Sequence, residues 1–394
     1  MSAPRPILFT AFEPSGDDLA AGLIAELKRR EPDRPIYAWG GPASEAAGAT
    51  LVEHTLEHAG VALEVVSQVP QHLARLKRLR QWLKQHPVDA LVPVDSPAAN
   101  WSVCGTVRKH CPDAKVVHLV LPQIWGWASW RIRRLRRLTD RVLCLLPFEP
   151  DWLRERGVQG VFVGHPMFAP ETDIAPREGA RAAAPVFQAD RGLPLAVLPG
   201  SRKSEIQRNL PTMLQAVAEV RRHVALDAVL AARTQADAER IQAGVDRAQS
   251  ELGAGAVARI IVGQTRAVLR QADAALITSG TATLQAVADD TPCCALYNHV
   301  RWQWELIGRW IVATRTFTLP NLIGVWQTGE RAIPEFAPHF GDPRPLAEAL
   351  HRLCADPDVR EEQQRRFADI RAAFEGLSYA DVAADELLGV LHGG

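Results

Sequence analysis

The sequence has no excess of charge of either sign. Its 394 residues include 45 Lys and Arg and 45 Asp and Glu, so no overall field draws the chain to nucleic acid or to a membrane. No apolar run is long enough to span a bilayer. The N-terminal residues lack the apolar region and cleavage site of a signal peptide. These absences favour a cytosolic protein whose charged partners are recognised locally.

Cysteine is scarce and shows no metal-binding or redox spacing. The six cysteines include no CxxC pair and no His-Cys cluster, which favours reduced, mostly buried thiols. The patterns GxGxxG and GxxxxGK[ST] are also missing, so a dinucleotide or ATP site is not indicated. We therefore expect no metal and no cofactor.

What the sequence does contain is an alternation of short apolar runs and amphipathic helical stretches. The runs predict buried parallel strands. The first set covers 7–11, 36–39, 90–94, 116–121 and 142–145, and the second covers 195–198, 228–231, 260–262, 274–278 and 293–297. In the first half, helices are predicted near 17–30, 70–86, 98–110 and 129–139.

Two such series predict two Rossmann-like, doubly wound α/β domains with the carboxyl ends of their strands facing across a cleft. Residues 169–194 are rich in Pro, Ala, Arg and Asp without a clean period, which predicts a linker. We expect an N-terminal domain over 1–168, a C-terminal domain over 169–343 and terminal helices over 344–394.

Two turns in the second half have the character of a diphosphate site. The segments Leu198-Pro199-Gly200-Ser201-Arg202 and Thr278-Ser279-Gly280-Thr281-Ala282 each end a predicted strand and begin a helical pattern. Free N–H groups and the positive end of a helix dipole are expected there. Arg202 adds a planar fork suited to phosphate oxygens, and Glu205 lies in the first helical turn. The first turn alone fits an ordinary strand-to-helix junction equally well, but the pair indicates a nucleotide sugar.

Acidic residues follow two predicted strands of the first half. The loop Glu13-Pro14-Ser15-Gly16-Asp17 comes after the first strand, and Ser15 or Asp17 is expected to cap the next helix. Asp95 ends another strand, where a carboxylate with a raised pKa could act as a general base. An Asp that only caps the following helix is the commoner case.

Two basic stretches stand out in this neutral chain. One carries Arg75, Lys77, Arg78, Arg80 and Trp82 around a helical face formed by Leu73, Leu76, Leu79 and Leu83. The other joins the tryptophan-rich turn with Trp125 and Trp127 to a run of arginines that begins at Arg131. Basic amphipathic helices with tryptophans suit an anionic lipid surface, although a core helix with a solvated face is commoner. Nucleic acid is less well supported, because the aromatic residues do not alternate with the cations.

The ordered motifs resemble those of the lipid-A-disaccharide synthase family, glycosyltransferases of the GT-B fold. They run through most of the chain in the family's order. The matching segments are Glu13-Pro14-Ser15-Gly16-Asp17, Gly40-Gly41-Pro42, Val94-Asp95-Ser96-Pro97, Pro122-Gln123-Ile124-Trp125-Gly126-Trp127, Leu146-Pro147-Phe148-Glu149, Phe162-Val163-Gly164-His165-Pro166, Leu198-Pro199-Gly200-Ser201-Arg202, Ser279-Gly280-Thr281-Ala282-Thr283-Leu284, Leu319-Pro320-Asn321-Leu322-Ile323 and Pro334-Glu335.

The resemblance implies an inverting transfer of 2,3-diacylglucosamine from its UDP derivative to 2,3-diacylglucosamine 1-phosphate, which forms a β-1′,6 link. It implies Asp95 as the base, Arg202 and the helix N-termini on the diphosphate, and Asn321 on the nucleotide. Where the family usually has a glutamate suited to hold a ribose diol, this chain has Gln285. The lipid substrates imply peripheral docking to the cytoplasmic side of the inner membrane, no metal and no nucleic acid.

Two other functions remain compatible with the sequence. A UDP-N-acetylglucosamine epimerase would use the same turns but would have no use for a lipid-facing surface. A non-catalytic relative that only binds a UDP-sugar or lipid is suggested by Gln285 and by the altered turn at residues 125–131.

Overall fold

The computed structural model describes residues 5–56, 65–169, 185–188, 190–252, 259–308 and 312–393, with the backbone alone for 65–71, 252, 303 and 307–308. The chain divides into two compact units. Unit 1 is Met1–Pro170 with Gly376–Gly394, and unit 2 is Glu171–Glu375. Each unit is built around one parallel sheet, and the prediction of two doubly wound α/β domains is confirmed.

The sheet of unit 1 is parallel because its central strands are continuous apolar runs that are covered on both faces. The strands are β1 (Ile7–Thr10), β2 (Ile36–Gly40), β3 (Thr50–His54), β4 (Ala90–Pro93), β5 (Lys115–Leu119), β6 (Arg141–Cys144) and β7 (Gly160–Phe162). Their spatial order is β3-β2-β1-β4-β5-β6-β7. The order reverses between β1 and β4, and this switch point is where doubly wound sheets bind their ligands.

Helices cover both faces of this sheet. They are α1 (Pro14–Arg30), α2 (Pro42–Ala46), α3 (Val65–Gln85), α4 (Pro97–His110), α5 (Ile132–Leu138) and α6 (Glu149–Arg154). Alternate residues of β1 pack into the hydrophobic cores on the two sides of the sheet, because successive strand side chains point to opposite faces. Phe9 packs in a cluster with Leu23 of α1, whereas Leu8 packs in a cluster with Leu79 of α3 and Val103 of α4.

Unit 2 repeats the same topology. Its strands are β8 (Leu193–Leu198), β9 (Leu226–Ala232), β10 (Arg259–Val262), β11 (Ala274–Thr278), β12 (Cys293–Asn298) and β13 (Glu335–His339). Their order is β10-β9-β8-β11-β12-β13, so the switch point lies between β8 and β11. The two turns that the sequence singled out follow these two strands.

The helices of unit 2 are α7 (Lys203–Val220), α8 (Gln235–Leu252), α9 (Thr265–Gln271), α10 (Thr281–Ala288), α11 (Leu319–Thr328), α12 (Pro343–Ala355) and α13 (Pro357–Ala372). Short helical turns occupy Arg301–Gln303 and Trp304–Gly308. Leu210 and Met213 of α7 and Leu350 of α12 pack in one core cluster with Leu195 of β8. Helix α10 packs against α11 and α13 beyond the end of β11.

The last helix, α14 (Tyr379–His392), packs on unit 1. The Tyr379 hydroxyl donates to the carbonyl of Leu19 at 2.9 Å, and Arg30 pairs with Asp381 at 3.2 Å. The predicted terminal segment 344–394 is therefore divided between the two units.

Most of the predicted linker, 169–194, lies outside the described residues. All six cysteines are buried and unpaired, as the sequence predicts. Within the part of the chain that the structure describes, no helix is both long enough and apolar enough to cross a bilayer.

Candidate active site

Asp95 lies at the switch point of unit 1, two residues after the end of β4, on a strained turn. Asp95 and Ser96 have φ of 42° and 39°, a left-handed conformation that L residues adopt only when their surroundings enforce it. The buried side-chain amide of Asn100 enforces it here, because its nitrogen donates to the carbonyls of Val94 at 2.9 Å and Asp95 at 2.8 Å. The Thr10 hydroxyl donates to the amide oxygen at 2.7 Å and fixes its orientation.

The electrostatic surroundings of Asp95 suit a general base. Burial raises the pKa of its carboxyl group above the ordinary value, and the negative charge of Glu13 raises it further. The Ser96 N–H opposes this rise by stabilising the carboxylate. No cation among the described residues forms an ion pair with Asp95, so the carboxylate is available to a proton from a ligand.

The loop after β1 contributes Glu13 to this edge, and the prediction of a Ser15 or Asp17 helix cap is wrong. Helix α1 begins at Pro14, with Glu13 in the cap position and no side-chain cap. The Ser96 hydroxyl donates to Glu13 at 3.3 Å, which joins the loops that follow β1 and β4. Gly16 is buried, and a Cβ on it would touch Val94 at 3.5 Å.

Asp17 serves a different helix from the one predicted. Its buried carboxylate accepts hydrogen bonds from the N–H groups of Gly41 at 2.9 Å and Ala43 at 3.0 Å, and from the Ser44 hydroxyl. These groups belong to the first turn of α2, whose N–H groups would otherwise be unsatisfied. Asp17 therefore braces the loop after β2.

Glu149 is a buried acidic residue near Asp95 for which the sequence suggested no role. It follows β6 and begins α6, and burial raises its pKa to about 8. Its carboxyl group accepts hydrogen bonds from the Trp125 indole N–H at 3.0 Å and the Leu146 N–H at 3.1 Å. The available signals were its place in the matching segment Leu146-Pro147-Phe148-Glu149 and the predicted strand that precedes this segment.

Trp125 is turned inward, so its predicted lipid-facing position is wrong. The side chain is 9% exposed, bonds to Glu149, and packs edge-on against Phe148 with ring centroids 5.3 Å apart. Val120 and Ala128, on either side of this turn, also have positive φ. Backbone strain of this kind gathers at functional sites.

In unit 2, the turn after β8 is closed by Glu205. Gly200 has φ of 113°, and a Cβ there would lie 2.8 Å from the Cβ of Glu205, so only glycine fits. Glu205 accepts from the N–H groups of Ser201 and Arg202 at 3.3 Å each and pairs with the Arg202 guanidinium at 3.0 Å. Two of the N–H groups expected for phosphate are thus engaged, while the Arg202 side chain is 75% exposed.

The turn after β11 leaves its N–H groups open. Gly280 has φ of 151°, and the space where its Cβ would stand is empty. The N–H groups of Gly280, Thr281 and Ala282 have no hydrogen-bond partner among the described residues. Helix α10 begins here, so its dipole adds positive potential. This arrangement suits a phosphate group.

A buried polar network, which the sequence did not reveal, ties the two turns together. The Asn209 amide nitrogen donates to the Thr278 hydroxyl at 3.2 Å, and its oxygen accepts from the Asn298 N–H at 2.8 Å. The Asn298 amide in turn donates to Thr212 at 2.9 Å and lies 2.7 Å from His339. Helix α7 is thereby fixed to the ends of β11 and β12.

Gln285 and Asn321 make their hydrogen bonds inside unit 2. The Gln285 amide donates to Asp289 at 2.7 Å. The fully buried Asn321 amide donates to Ile333 and Glu335 and accepts from the Ile333 N–H. Glu335 also accepts from the Thr318 N–H at 2.9 Å. Asn321 is thus placed to fix the start of α11 rather than to offer its amide to a ligand.

The basic face of α3 is partly neutralised. Arg75 and Arg78 both pair with Glu53, with their Nε atoms at 3.2 Å and 2.9 Å from its carboxylate. Trp82 is half-buried and stacks on His86, with centroids 4.7 Å apart. Leu73, predicted on the core face, is 59% exposed, while Lys77 and Arg80 point into solvent.

The second basic stretch is more open. Trp127 and Trp130 are 42% and 59% exposed, and the Arg131 guanidinium lies 4.3 Å from the Trp127 ring centroid. Within the described ranges, no acidic side chain pairs with the arginines of this stretch, namely Arg131, Arg133, Arg134, Arg136 and Arg137. The stretch therefore presents aromatic and cationic groups together.

No cluster of three or more His, Cys, Asp and Glu side chains in the described part of the chain is arranged to hold a metal ion. The chemistry available at both switch points is that of carboxyl groups, a guanidinium and backbone N–H groups.

The chain matches the family model described as lipid-A-disaccharide synthetase over residues 7–383. The lipid-A-disaccharide synthase of Myxococcus xanthus is 32% identical over 399 residues, which cover 99% of each chain. The lipid-A-disaccharide synthase of Paraburkholderia xenovorans is 35% identical over 376 residues, which cover 93% of this chain and 92% of that relative.

Solved structures share the fold at low sequence identity. A glycosyltransferase from Rickettsia africae superposes with a TM-score of 0.57 at 12% identity and covers 100% of this chain and 99% of that one. A UDP-GlcNAc 2-epimerase from Neisseria meningitidis, solved with UDP-GlcNAc, gives a TM-score of 0.63 at 11% identity and covers 98% of this chain and 100% of that one. These likenesses identify the GT-B architecture.

Proposed function

Because this chain belongs to the lipid-A-disaccharide synthase family, we propose that it joins the 2,3-diacylglucosamine of a UDP-activated donor to 2,3-diacylglucosamine 1-phosphate. The products are a β-1′,6-linked disaccharide and UDP. The match along nearly the whole chain carries this proposal. The position of Asp95 at the switch point of unit 1 supports it.

Asp95 is proposed as the general base. The 6-hydroxyl oxygen of the acceptor forms a bond to the donor's anomeric carbon, the bond from that carbon to the diphosphate oxygen breaks, and the hydroxyl proton passes to Asp95. One displacement inverts the anomeric centre, so no covalent intermediate is required. A base in this role contributes about 10²- to 10⁴-fold to the rate. The raised pKa of Asp95 brings its proton affinity closer to the working pH.

Unit 2 is proposed to hold UDP. The open N–H groups at Gly280, Thr281 and Ala282 suit one phosphate, and the exposed Arg202 guanidinium suits the other. Charge builds up on the diphosphate as the glycosidic bond breaks, and preorganised donors stabilise that charge. Ser201 and Glu205 shape the first turn, Ser279 begins the second, and Gln285 and Asn321 support the surrounding backbone.

Peripheral docking to an anionic membrane is proposed because both substrates carry acyl chains. Trp127, Trp130 and the unpaired arginines that follow them combine aromatic burial with local positive charge. Each cation close to an anionic surface contributes about 1 kcal/mol. On α3, Leu73, Lys77 and Arg80 are the exposed groups available for the same surface.

The test is release of UDP by the purified protein when both acylated substrates are supplied in detergent. We expect UDP and disaccharide in equal amounts, and we expect Asp95→Asn to lose turnover while UDP binding measured by calorimetry is unchanged. Binding of UDP without release from any acylated donor would contradict transfer and favour a non-catalytic UDP-sugar binder. Equal loss of turnover and of UDP binding would make Asp95 structural.

The epimerase fold likeness supports a second candidate less well. The epimerase from Neisseria meningitidis is 11% identical to this chain, which shows only a shared architecture. The synthase relatives are about three times as similar in sequence over nearly the whole chain. Conversion of UDP-N-acetylglucosamine without any acceptor would favour the epimerase.

A further inference from the structure

The Glu149 carboxyl group is placed to control the surroundings of Asp95. It is 2% exposed and lies at the start of α6, beyond the carboxyl end of β6. One of its oxygens accepts the Trp125 indole N–H at 3.0 Å and the other accepts the Leu146 N–H at 3.1 Å. No cation among the described residues pairs with this buried carboxyl group, so its ionised form is disfavoured.

Through Trp125, Glu149 joins two loops at the same edge of the sheet. Trp125 belongs to the turn after β5, and Glu149 to the turn after β6. The Trp125 ring also packs against Phe148, so both polar and apolar contacts fix it. The end of β5, from which this turn starts, is in addition linked to Asp95, whose N–H donates to the Leu119 carbonyl at 3.0 Å. Displacing Trp125 would therefore disturb the backbone that carries the base.

The ionisation of Glu149 is coupled to that of Asp95. Burial raises the pKa of Glu149 to about 8, and the charge of Asp95 adds to the rise. Asp95 therefore ionises first and Glu149 stays protonated near neutral pH. The other ionisable groups acting on this pair are Glu13, which faces Asp95, and the Cys144 thiol, whose pKa is held high by burial and by Glu149. The carboxylate of Asp95 is the one negative charge that this pair supplies near neutral pH.

We propose that Glu149 is a positioning residue for glycosyl transfer, which holds the Trp125 turn in register with Asp95 and limits the negative charge beside that base. The proposal rests on the proposed function. A second buried carboxylate would repel the phosphate-bearing acceptor as it approaches Asp95, so a neutral Glu149 favours acceptor binding. The described hydrogen bonds of Glu149 lie within unit 1, whereas we assign the UDP group of the donor to unit 2.

Three variants separate these effects. Glu149→Ala removes the acceptor of both hydrogen bonds. Glu149→Gln keeps an oxygen for the indole and cannot ionise. Trp125→Phe keeps the ring beside Phe148 and removes the N–H. The measurements are kcat and the separate KM values for donor and acceptor between about pH 6 and about pH 9, chosen to span the ionisation of a buried carboxyl group.

We expect Glu149→Ala to lower kcat by about tenfold or more with the donor KM unchanged, and Trp125→Phe to give a smaller loss. Glu149→Gln should stay within a few-fold of the wild type near neutral pH. Above about pH 8, the wild type should lose kcat/KM for the acceptor while Glu149→Gln does not.

An active wild type whose pH profile coincides with that of Glu149→Gln would overturn the proposal, as would Glu149→Ala with unchanged kcat. If Glu149→Ala does not fold, Glu149→Gln and Trp125→Phe still decide it. A wild type that releases no UDP would instead contradict the proposed function itself.

Discussion

The side-chain amide of Asn100 donates a 2.8 Å hydrogen bond to the main-chain carbonyl of Asp95. The same nitrogen reaches the Val94 carbonyl, and Thr10 on the neighbouring strand fixes the amide oxygen. The direction of the Asp95 carboxylate therefore depends on a side chain five residues later in the sequence. It also depends on the neighbouring strand β1, which lies on the other side of the switch point.

Replacing Asn100 by Ala should lower kcat by about 100-fold, because a small displacement of a catalytic group costs that much in rate. It should also lower the free energy of unfolding by about 1–3 kcal/mol, since two buried carbonyls and the Thr10 hydroxyl lose their partner. UDP affinity, measured by calorimetry, should not change. Thr10→Ser is the conservative control and should retain activity, whereas Thr10→Val should lose part of it. Unchanged kcat in Asn100→Ala would show that the left-handed turn at Asp95 and Ser96 forms without the hydrogen bonds from Asn100.

Replacing Arg202 by Ala should weaken UDP binding by about 10- to 100-fold, the loss expected for a hydrogen-bonded ion pair with phosphate. Arg202→Lys should restore only part of the affinity, because an ammonium group lacks the planar fork. The matched control is Arg222→Ala. That arginine is 70% exposed and pairs with Glu219 three residues away, as Arg202 does with Glu205. Equal effects of the two alanine variants on titration calorimetry would rule out a direct phosphate contact.

Replacing Glu53 by Gln should strengthen binding to vesicles that contain anionic lipid, because it releases Arg75 and Arg78 from their ion pairs. Each freed cation near the surface should add about 1 kcal/mol, and added salt should reduce the gain. Co-sedimentation with vesicles measures it. Glu26 also pairs with two arginines, Arg29 and Arg30, but on α1, which covers the opposite face of the sheet. A similar gain in Glu26→Gln would mean that overall charge, and not the α3 surface, controls binding.

Stability should depend on pH through Glu149. Its pKa is raised from an ordinary 4.5 to about 8, so the folded state favours the protonated form. The stability that protonated Glu149 contributes to the folded state is fully present below its ordinary pKa. It is lost as the pH rises towards the raised pKa of the folded state. Relative to Glu149→Gln, the wild type should lose up to about 1.4 kcal/mol per pH unit between about pH 5 and about pH 8. Urea unfolding of both proteins measures the difference. Parallel pH curves would mean that Glu149 ionises freely in the folded protein.

The central strands were predictable from sequence, whereas three of the four edge strands in the described sheets were not. Buried strands such as β1 and β11 are uninterrupted apolar runs, a pattern that survives without any alignment. The missed strands β3, β7 and β13 are all edge strands. They are short or half-exposed, and β13 contains Pro338, which only an edge position tolerates. The fourth edge strand, β10, was predicted because its residues 260–262 form an apolar run.

The positions of the candidate site residues were predictable where those residues follow predicted strands. Asp95, Gly200 and Gly280 lie at the two switch points for that reason. The positions of Asp17, Asn321 and Trp125 were not predictable, because each side chain bonds to a loop distant in the sequence. Periodicity tells which face of an element is buried, but it does not tell which loop a polar side chain reaches.

The return of α14 to unit 1 determines the order in which the protein can be completed. The helix that packs against α1 follows the whole of unit 2 in the sequence, so it leaves the ribosome after that unit. Until then, Leu23 and Leu27 lack the cover that Ala383 and Leu387 provide within their shared cluster. During synthesis, the N-terminal half therefore exposes the apolar stripe of α1 until α14 has been made. Fragments ending before residue 376 should therefore be poor candidates for separate expression.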